Sequence, residues 1–193
     1  MCGIAGFVTS NKKKYSSSSV VSKMLDEMGH RGPDQRGVKT YGDIALGMAR
    51  LSIIDTSRHQ IPYENAISSH AIVYNGEVYN HDSIRKGLAG KYEFKTSSEA
   101  ETILYNYIEN GEKSFNDYNG MYAFALYDSR KNTTYIVRDK TGEKPVYYAH
   151  GSDFFTFASE MKCLLQIIKP RFNDAALSYK AYEFTVSSET LFK

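Results

Sequence analysis

The sequence contains no tryptophan, only two cysteines and only four prolines among its 193 residues. Two cysteines are too few for a disulfide scaffold, so a reducing, cytoplasmic location is predicted. No apolar run approaches the ~20 residues of a membrane-spanning helix, and no secretory signal begins the chain. The net charge of +2 is too small to indicate nucleic acid as a partner. The sequence therefore predicts neither a membrane nor a nucleic-acid partner.

Apolar side chains make up 41% of the residues, with 16 tyrosines and 10 phenylalanines among the aromatic ones. This composition is sufficient for one domain with a well-packed core. The five histidines share no metal-ligand spacing, so no metal site is predicted.

Short runs of alternating hydrophobicity between turn residues predict strands at 2–9, 37–41, 44–50, 71–75, 121–127, 135–137, 145–149 and 154–158. Helical spacing predicts helices at 18–29, 81–88, 160–168 and 174–184. A further helix begins at a capping box, in which Ser98 and Glu101 would satisfy each other's backbone N–H groups, and ends at Asn110-Gly111. Helices grouped among short strands indicate an α+β fold with largely antiparallel sheets.

Cys2 directly follows the initiator methionine and is surrounded by glycine and alanine. If Met1 is removed, the backbone nitrogen of Cys2 becomes a free amine. A free α-amine titrates near about 7.7 to 8.0, so it is partly neutral at cytoplasmic pH and can serve as a general base. Thiol and base would then belong to one residue, as in enzymes with an N-terminal threonine. The alternative is that Cys2 is an ordinary small residue at the start of a strand.

Seven motifs bear on whether Cys2 is a nucleophile or an ordinary small residue. They are MCGIAGF (1–7), HRGPD (30–34), RLSIID (50–55), YNGEVYN (74–80), GMYAFALYD (120–128), RDKTGEKPVYY (138–148) and ASEMKCLL (158–165). In this order they resemble the glutaminase domain of asparagine-synthetase-type class II glutamine amidotransferases, over roughly 2–168. That family is similar to the N-terminal nucleophile hydrolases. The resemblance therefore implies a four-layer αββα sandwich of two mainly antiparallel sheets.

The resemblance also implies a mechanism. Cys2 attacks the side-chain amide of L-glutamine and forms a thioester, ammonia leaves, and water releases glutamate. Asn75 and Gly76 would stabilise the oxyanion, through a side-chain NH₂ group and a backbone N–H respectively. The alternative for Asn75-Gly76 is a type I′ hairpin turn, which this dipeptide favours.

The substrate's amino-acid end is a zwitterion and needs one partner of each charge. Arg50 can hold the α-carboxylate in a fork, and Ile54 would add a backbone contact. Glu77 and Glu99 would receive the α-ammonium. The family has aspartate at the position of Glu99, so the sequence departs from it there by one methylene. The alternative role for Glu99 is that of an acid favoured in the first turn of a helix.

The predicted glutaminase domain spans 1–170, and 171–193 resembles the linker into a synthetase domain that the sequence does not include. ATP and Mg²⁺ would belong to that domain, so no cofactor is expected here. The predicted partners are L-glutamine and a synthetase domain or subunit, and a homodimer is left open. Two alternative functions also remain, a non-catalytic docking or regulatory domain and a hydrolase of another amide. The sequence does not identify the ammonia acceptor.

Overall fold

Two antiparallel sheets face each other, and helices cover the outer side of each. The computed structural model describes residues 1–52, 60–65 and 70–169. The strands are β1 Gly3–Thr9, β2 Gln35–Tyr41, β3 Ile44–Arg50, β4 Tyr63–Glu64, β5 Ala71–Val78, β6 Gly120–Asp128, β7 Thr133–Arg138, β8 Tyr147–His150 and β9 Phe154–Ala158. The helices are α1 Ser17–Glu27, α2 His81–Leu88, α3 Glu99–Asn110 and α4 Met161–Leu164, with a 3₁₀ helix at Gly111–Asn116.

The first sheet has the strand order β2-β3-β1-β9-β8, and the second has the order β4-β5-β6-β7. One apolar core fills the space between the sheets. A second core lies between the first sheet and helices α1 and α4. A third core lies between the second sheet and α3. These cores separate four layers, so the predicted αββα sandwich is confirmed.

Strand β6 shows how the sequence specifies these layers. Its small residues Ala123 and Ala125 face the first sheet, where they let the two sheets approach closely. Its large residues Tyr122, Phe124 and Leu126 face the opposite way and pack under α3. Alternate residues of a strand point to opposite faces, so the small–large alternation assigns each side chain to its layer.

One predicted helix is shorter in the structure than the sequence pattern indicates. Helix α4 covers Met161–Leu164, whereas the prediction extended it over 160–168. The backbone N–H groups of Leu165, Gln166 and Ile167 bond to carbonyls three residues earlier, which is a turn pattern. The predicted helix at 174–184 lies outside the described residues.

The predicted capping box at the start of α3 is half wrong. Ser98 is the N-cap, and its hydroxyl accepts the N–H of Ala100. Glu101 does not reach back to Ser98; its carboxylate accepts the N–H groups of Lys95 and Thr96, each at 2.8 Å. The Glu101 carboxylate therefore binds the loop before α3, and not the N-terminus of α3 as the pattern predicted.

In the described part of the chain, no helix is both long and apolar enough to cross a membrane.

Candidate active site

A cavity of about 390 Å³ lies between the two sheets, next to the N-terminal end of β1. This volume is typical of a small-molecule site. Its lining includes all six of the described residues that the sequence assigns to a site, together with several that it does not. The charged, polar and sulfur-containing side chains in the lining are Met1, Cys2, Met48, Arg50, Gln60, Tyr63, Tyr74, Asn75, Glu77, His81, Ser97, Ser98, Glu99, Met121 and Lys144.

Strand register places Cys2 in this cavity. Strand β1 runs antiparallel to β3 with Gly3 opposite Ala49, so Cys2 lies beside the end of β3, which carries Arg50. Cys2 is half-buried, and its thiol lies 3.7 Å from the carbonyl oxygen of Leu51. Gly32, in the HRGPD motif, lies directly against the backbone at the end of β3. A Cβ there would lie 2.3 Å from the backbone nitrogen of Arg50.

Arg31 fixes the backbone of Cys2. Its Nε donates to the carbonyl oxygen of Cys2 at 3.0 Å, and its Nη1 donates to the Glu160 carboxylate at 3.0 Å. Its Nη2 is buried and has no partner among the described residues. Arg31 belongs to the quoted HRGPD motif, but the sequence gives no sign that it contacts Cys2.

Asn75 and Gly76 lie inside strand β5, so the alternative of a hairpin turn is wrong. Asn75 is 2% exposed, and its side-chain Nδ2 has no hydrogen-bond partner in the described chain. Gly76 has φ +153°, and a Cβ there would lie 2.2 Å from the carbonyl oxygen of Met121. A buried donor without a partner costs free energy, and an acceptor atom of a ligand in the cavity would remove that cost.

Glu99 is the first residue of α3, and its carboxylate is bound by strand β5. The Tyr74 hydroxyl donates to Glu99, and the backbone N–H of Val78 donates to it at 3.0 Å. Burial raises the pKa of Glu99, and the nearby Glu77 carboxylate raises it further. Tyr74 and Val78 oppose this rise, and the result is a pKa of about 7. We call Tyr74, Glu77 and Glu99 the carboxyl cluster.

Arg50 ends strand β3 and lines the cavity. It lies opposite Gln35 of the neighbouring strand β2, and its Nη1 donates to the side-chain oxygen of Gln35 at 3.2 Å. Its carbonyl oxygen accepts the N–H of Asp34 at 3.2 Å, which ties the HRGPD motif to this strand end. The predicted contact residue Ile54 lies outside the described residues.

Lys144 is a cavity residue that the sequence did not single out. It is 8% exposed, and its Nζ lies 3.6 Å from the Met1 sulfur. Asp139 holds its loop by accepting the N–H groups of Glu143 and Lys144. Burial raises the pKa of Asp139, but these N–H groups outweigh burial and lower it to about 2.

The second cysteine lies in a different environment. Cys163 is fully buried between the first sheet and its helices. Burial raises the pKa of its thiol to about 12, so it stays protonated and unreactive. Among the described residues, no group of three or more His, Cys, Asp or Glu side chains could hold a metal ion.

The chain is similar in sequence to known proteins. Asparagine synthetase [glutamine-hydrolyzing] 3 of Bacillus subtilis is 33% identical over 183 residues, which are 92% of this chain and 30% of that protein. Asparagine synthetase B [glutamine-hydrolyzing] of Escherichia coli is 36% identical over 172 residues, 88% of this chain and 31% of that protein. The chain thus spans less than a third of the length of these relatives.

Two solved structures share the fold. The glutamine phosphoribosylpyrophosphate amidotransferase of B. subtilis has a TM-score of 0.70 at 19% identity, covering 84% of this chain and 43% of that one. The allosteric regulatory enzyme of purine biosynthesis has a TM-score of 0.72 at 19% identity. The match covers 86% of this chain and 43% of that one. The family described as the glutamine amidotransferase domain matches residues 1–193, and the chain belongs to that family.

Proposed function

We propose that the chain hydrolyses the side-chain amide of L-glutamine through a thioester on Cys2, giving glutamate and ammonia. The observation that carries the proposal is that Cys2 and the unpartnered amide of Asn75 line one cavity. A nucleophile and a preorganised donor in one small pocket are the parts that acyl transfer needs.

The proposed reaction begins with proton transfer from the Cys2 thiol to its own α-amine, once Met1 has been removed. The thiolate attacks the amide carbon, and the carbonyl oxygen takes up the negative charge. Asn75 Nδ2 and the backbone N–H of Gly76 donate to that oxygen. The amine then returns its proton to the departing nitrogen, and ammonia leaves. Water adds to the thioester carbon, releases glutamate and restores the thiol.

The zwitterionic end of glutamine would bind across the same cavity. Arg50 carries the positive charge for the α-carboxylate, and the carboxyl cluster carries the negative charge for the α-ammonium. Arg31 is not needed as a chemical group in this scheme. Its role is to hold the carbonyl of Cys2 while the thiol and amine on that residue react.

Ammonia made here would serve an asparagine-synthetase-like amidation by a synthetase domain or subunit in the cytoplasm. The two relatives described above support this part of the proposal, because both are named as glutamine-hydrolysing asparagine synthetases and both are about three times longer than the matched region. ATP and Mg²⁺ would bind to that partner.

One observation favours a second candidate, the hydrolysis of another amide. Oε2 of Glu99 already accepts hydrogen bonds from Tyr74 and Val78, so only the Oε1 side of this carboxylate could receive an α-ammonium. A substrate without an α-ammonium would not need that contact.

A single preparation tests the proposal and this alternative. The chain is expressed from its own Met1 with a C-terminal tag, its intact mass is measured, and glutamate or ammonia release is assayed with glutamine and with other primary amides. We expect a chain that begins at Cys2 and releases glutamate from glutamine. A uniformly retained Met1 would remove the proposed base and contradict the mechanism. Turnover of other amides in preference to glutamine would favour the second candidate.

A further inference from the structure

The residues directly after strand β9 hold the start of the chain beyond the ladder that joins β9 to β1. That ladder ends at Ala5 opposite Ala158. Ser159 is fully buried and binds Ile4 twice. Its backbone N–H donates to the Ile4 carbonyl oxygen at 2.9 Å, and its hydroxyl accepts the Ile4 N–H at 3.0 Å. Glu160 follows Ser159, and its contact reaches two residues further towards the amino terminus.

Arg31 makes that contact, because it binds Glu160 and Cys2 with the same side chain. Its Nη1 donates to Oε1 of Glu160, and its Nε donates to the carbonyl oxygen of Cys2, each at 3.0 Å. The side chain is 9% exposed and lies against Gly3, where an added Cβ would be 3.5 Å from its Cδ. A guanidinium is rigid and planar, so the position of the Glu160 carboxylate sets the position of the Nε that Cys2 receives.

Other basic side chains also contact Glu160, but they are more exposed than Arg31. Oε1 of Glu160 lies 2.8 Å from Nε2 of His30, and Oε2 lies 3.3 Å from Nζ of Lys162. Both of these partners are about half exposed, and such pairs contribute little. Burial raises the pKa of Glu160, but the three basic side chains outweigh burial and lower it below its ordinary value. Glu160 is therefore charged at neutral pH.

The loss of this carboxylate would reach Cys2 through Arg31. Nη2 of Arg31 is buried without a partner among the described residues, so Nη1 would join it in lacking an acceptor. A buried cation without its counter-charge is costly, and the side chain would turn towards water. In a chain that begins at Cys2, that residue is attached through its carbonyl side alone. The peptide plane between Cys2 and Gly3 then decides where its thiol and its amine lie.

We propose that Glu160 is a positioning residue of glutamine hydrolysis, which acts by keeping Arg31 aimed at the carbonyl oxygen of Cys2. Neither Glu160 nor Arg31 is among the described residues that line the cavity, so their effect is on the nucleophile and not on the bound substrate. This inference rests on the proposed function, because Glu160 has this role only if Cys2 attacks the amide.

Steady-state glutamate release separates positioning from substrate binding. A displacement of about 1 Å can lower a rate about 100-fold, so Glu160→Ala should lower kcat by up to that factor and leave KM unchanged. Glu160→Gln keeps an acceptor for Arg31 without the charge, and its kcat should lie between those of Glu160→Ala and wild type. Circular dichroism checks each fold, and Glu160→Gln carries the test if Glu160→Ala does not fold.

A double-mutant cycle tests whether the effect passes through Arg31. Arg31→Met removes the guanidinium, so adding Glu160→Ala to it should lower kcat no further. Labelling of Cys2 by a glutamine-mimicking electrophile measures those variants whose turnover is too slow to assay.

Glu27→Ala is the matched control. Glu27 ends α1, and its Oε1 accepts the side-chain N–H of Gln166 at 3.2 Å. It therefore ties α1 to the segment after α4, in the layer that also contains Glu160, but through a residue that does not bind Cys2. We expect its kcat and KM to match those of wild type.

The outcomes separate this inference from the proposed function. If the wild-type chain, with Met1 removed, releases no glutamate from glutamine, the proposed function fails. If wild type is active and Glu160→Ala has the same kcat, the proposed function stands and the role of Glu160 is wrong. A rise in KM at unchanged kcat, or effects of Glu160→Ala and Arg31→Met that add in the double variant, would also overturn that role.

Discussion

The groups around Cys2 and those around Glu99 line one cavity, but they differ in whether they already have hydrogen-bond partners. Near Cys2, Nδ2 of Asn75 has no partner among the described residues, and Nζ of Lys144 contacts the Met1 sulfur at 3.6 Å. Around Glu99, the donors and acceptors bond to one another through Tyr74 and Val78. Donors without partners are ready for charge that appears only during reaction, since no existing bond has to break.

The carboxyl cluster teaches the complementary lesson. Before a substrate arrives, Oε2 of Glu99 already accepts hydrogen bonds from the Tyr74 hydroxyl and the Val78 N–H, so this carboxylate is held in place. On this interpretation, the groups near Cys2 increase the reaction rate, and the carboxyl cluster selects the substrate. Four substitutions test this division, and their expected effects decrease in the order given.

The largest effect is expected for Cys2→Ala, which should abolish glutamate release and labelling by a glutamine-mimicking electrophile while the fold persists. Cys163→Ala is the control, because that thiol is fully buried and stays protonated. Intact mass after labelling, together with a glutamate assay, measures both. Equal labelling of the two cysteines would contradict a special site at Cys2.

Asn75→Ala removes the donor that the structure leaves unpaired. We expect kcat to fall by about 10²- to 10³-fold, as for other oxyanion donors, with little change in KM. Steady-state glutamate release measures the two constants. Asn116→Ala, at an exposed position that ends the 3₁₀ helix, should match wild type. A rise in KM with unchanged kcat would place Asn75 in ground-state binding.

Glu99→Gln leaves the substrate's ammonium without its counter-charge. The loss of a charge-assisted hydrogen bond, about 1.5 to 3 kcal/mol, corresponds to a decrease in kcat/KM of roughly 10- to 150-fold. Glu99→Asp should change kcat/KM far less, and Arg50→Ala should lower it at least as much as Glu99→Gln. If Glu99→Gln behaves like wild type while Arg50→Ala is inactive, Glu99 serves only to start α3.

The smallest effect concerns stability. Gly76→Ala places a Cβ 2.2 Å from the Met121 carbonyl at φ +153°. Strain of this kind costs about 1 to 3 kcal/mol, so the thermal midpoint should fall. Gly87→Ala is the matched control, because that glycine lies in α2 with nothing within 4 Å of an added Cβ. It should raise stability, by up to about 1 kcal/mol. Equal midpoints for the two variants would show that β5 tolerates a side chain at Gly76.

Short-range patterns predicted most of the fold. Alternating hydrophobicity predicted the strand at 121–127, which the structure extends to Gly120–Asp128, and turn residues marked the predicted strands. The hairpin turn that Asn75-Gly76 also allowed is excluded, since both residues lie inside β5. Near-neighbour preferences decide these features, so they can be read from the sequence.

Contacts between distant residues could not be predicted in this way. Arg31 meets Glu160 across 129 positions, and Tyr74 meets Glu99 across 25. Lys144 enters the cavity because Asp139 holds its loop, which depends on three-dimensional packing. The Glu101 half of the capping box failed for the same reason, since the preceding loop binds the Glu101 carboxylate.

The anchoring of Arg31 has a consequence for the design of shorter versions of the domain. Glu160 holds Arg31, which holds Cys2. The Ser159 N–H donates to the Ile4 carbonyl oxygen, and the Ser159 hydroxyl accepts the Ile4 N–H. The first strand is therefore fastened by residues more than 150 positions away. A fragment cut before Ser159 would lose this fastening even though most of the fold is present. Any minimal expression unit must therefore extend past Glu160. Under the proposed mechanism the domain also cannot be circularly permuted, because permutation would join the backbone nitrogen of Cys2 to another residue.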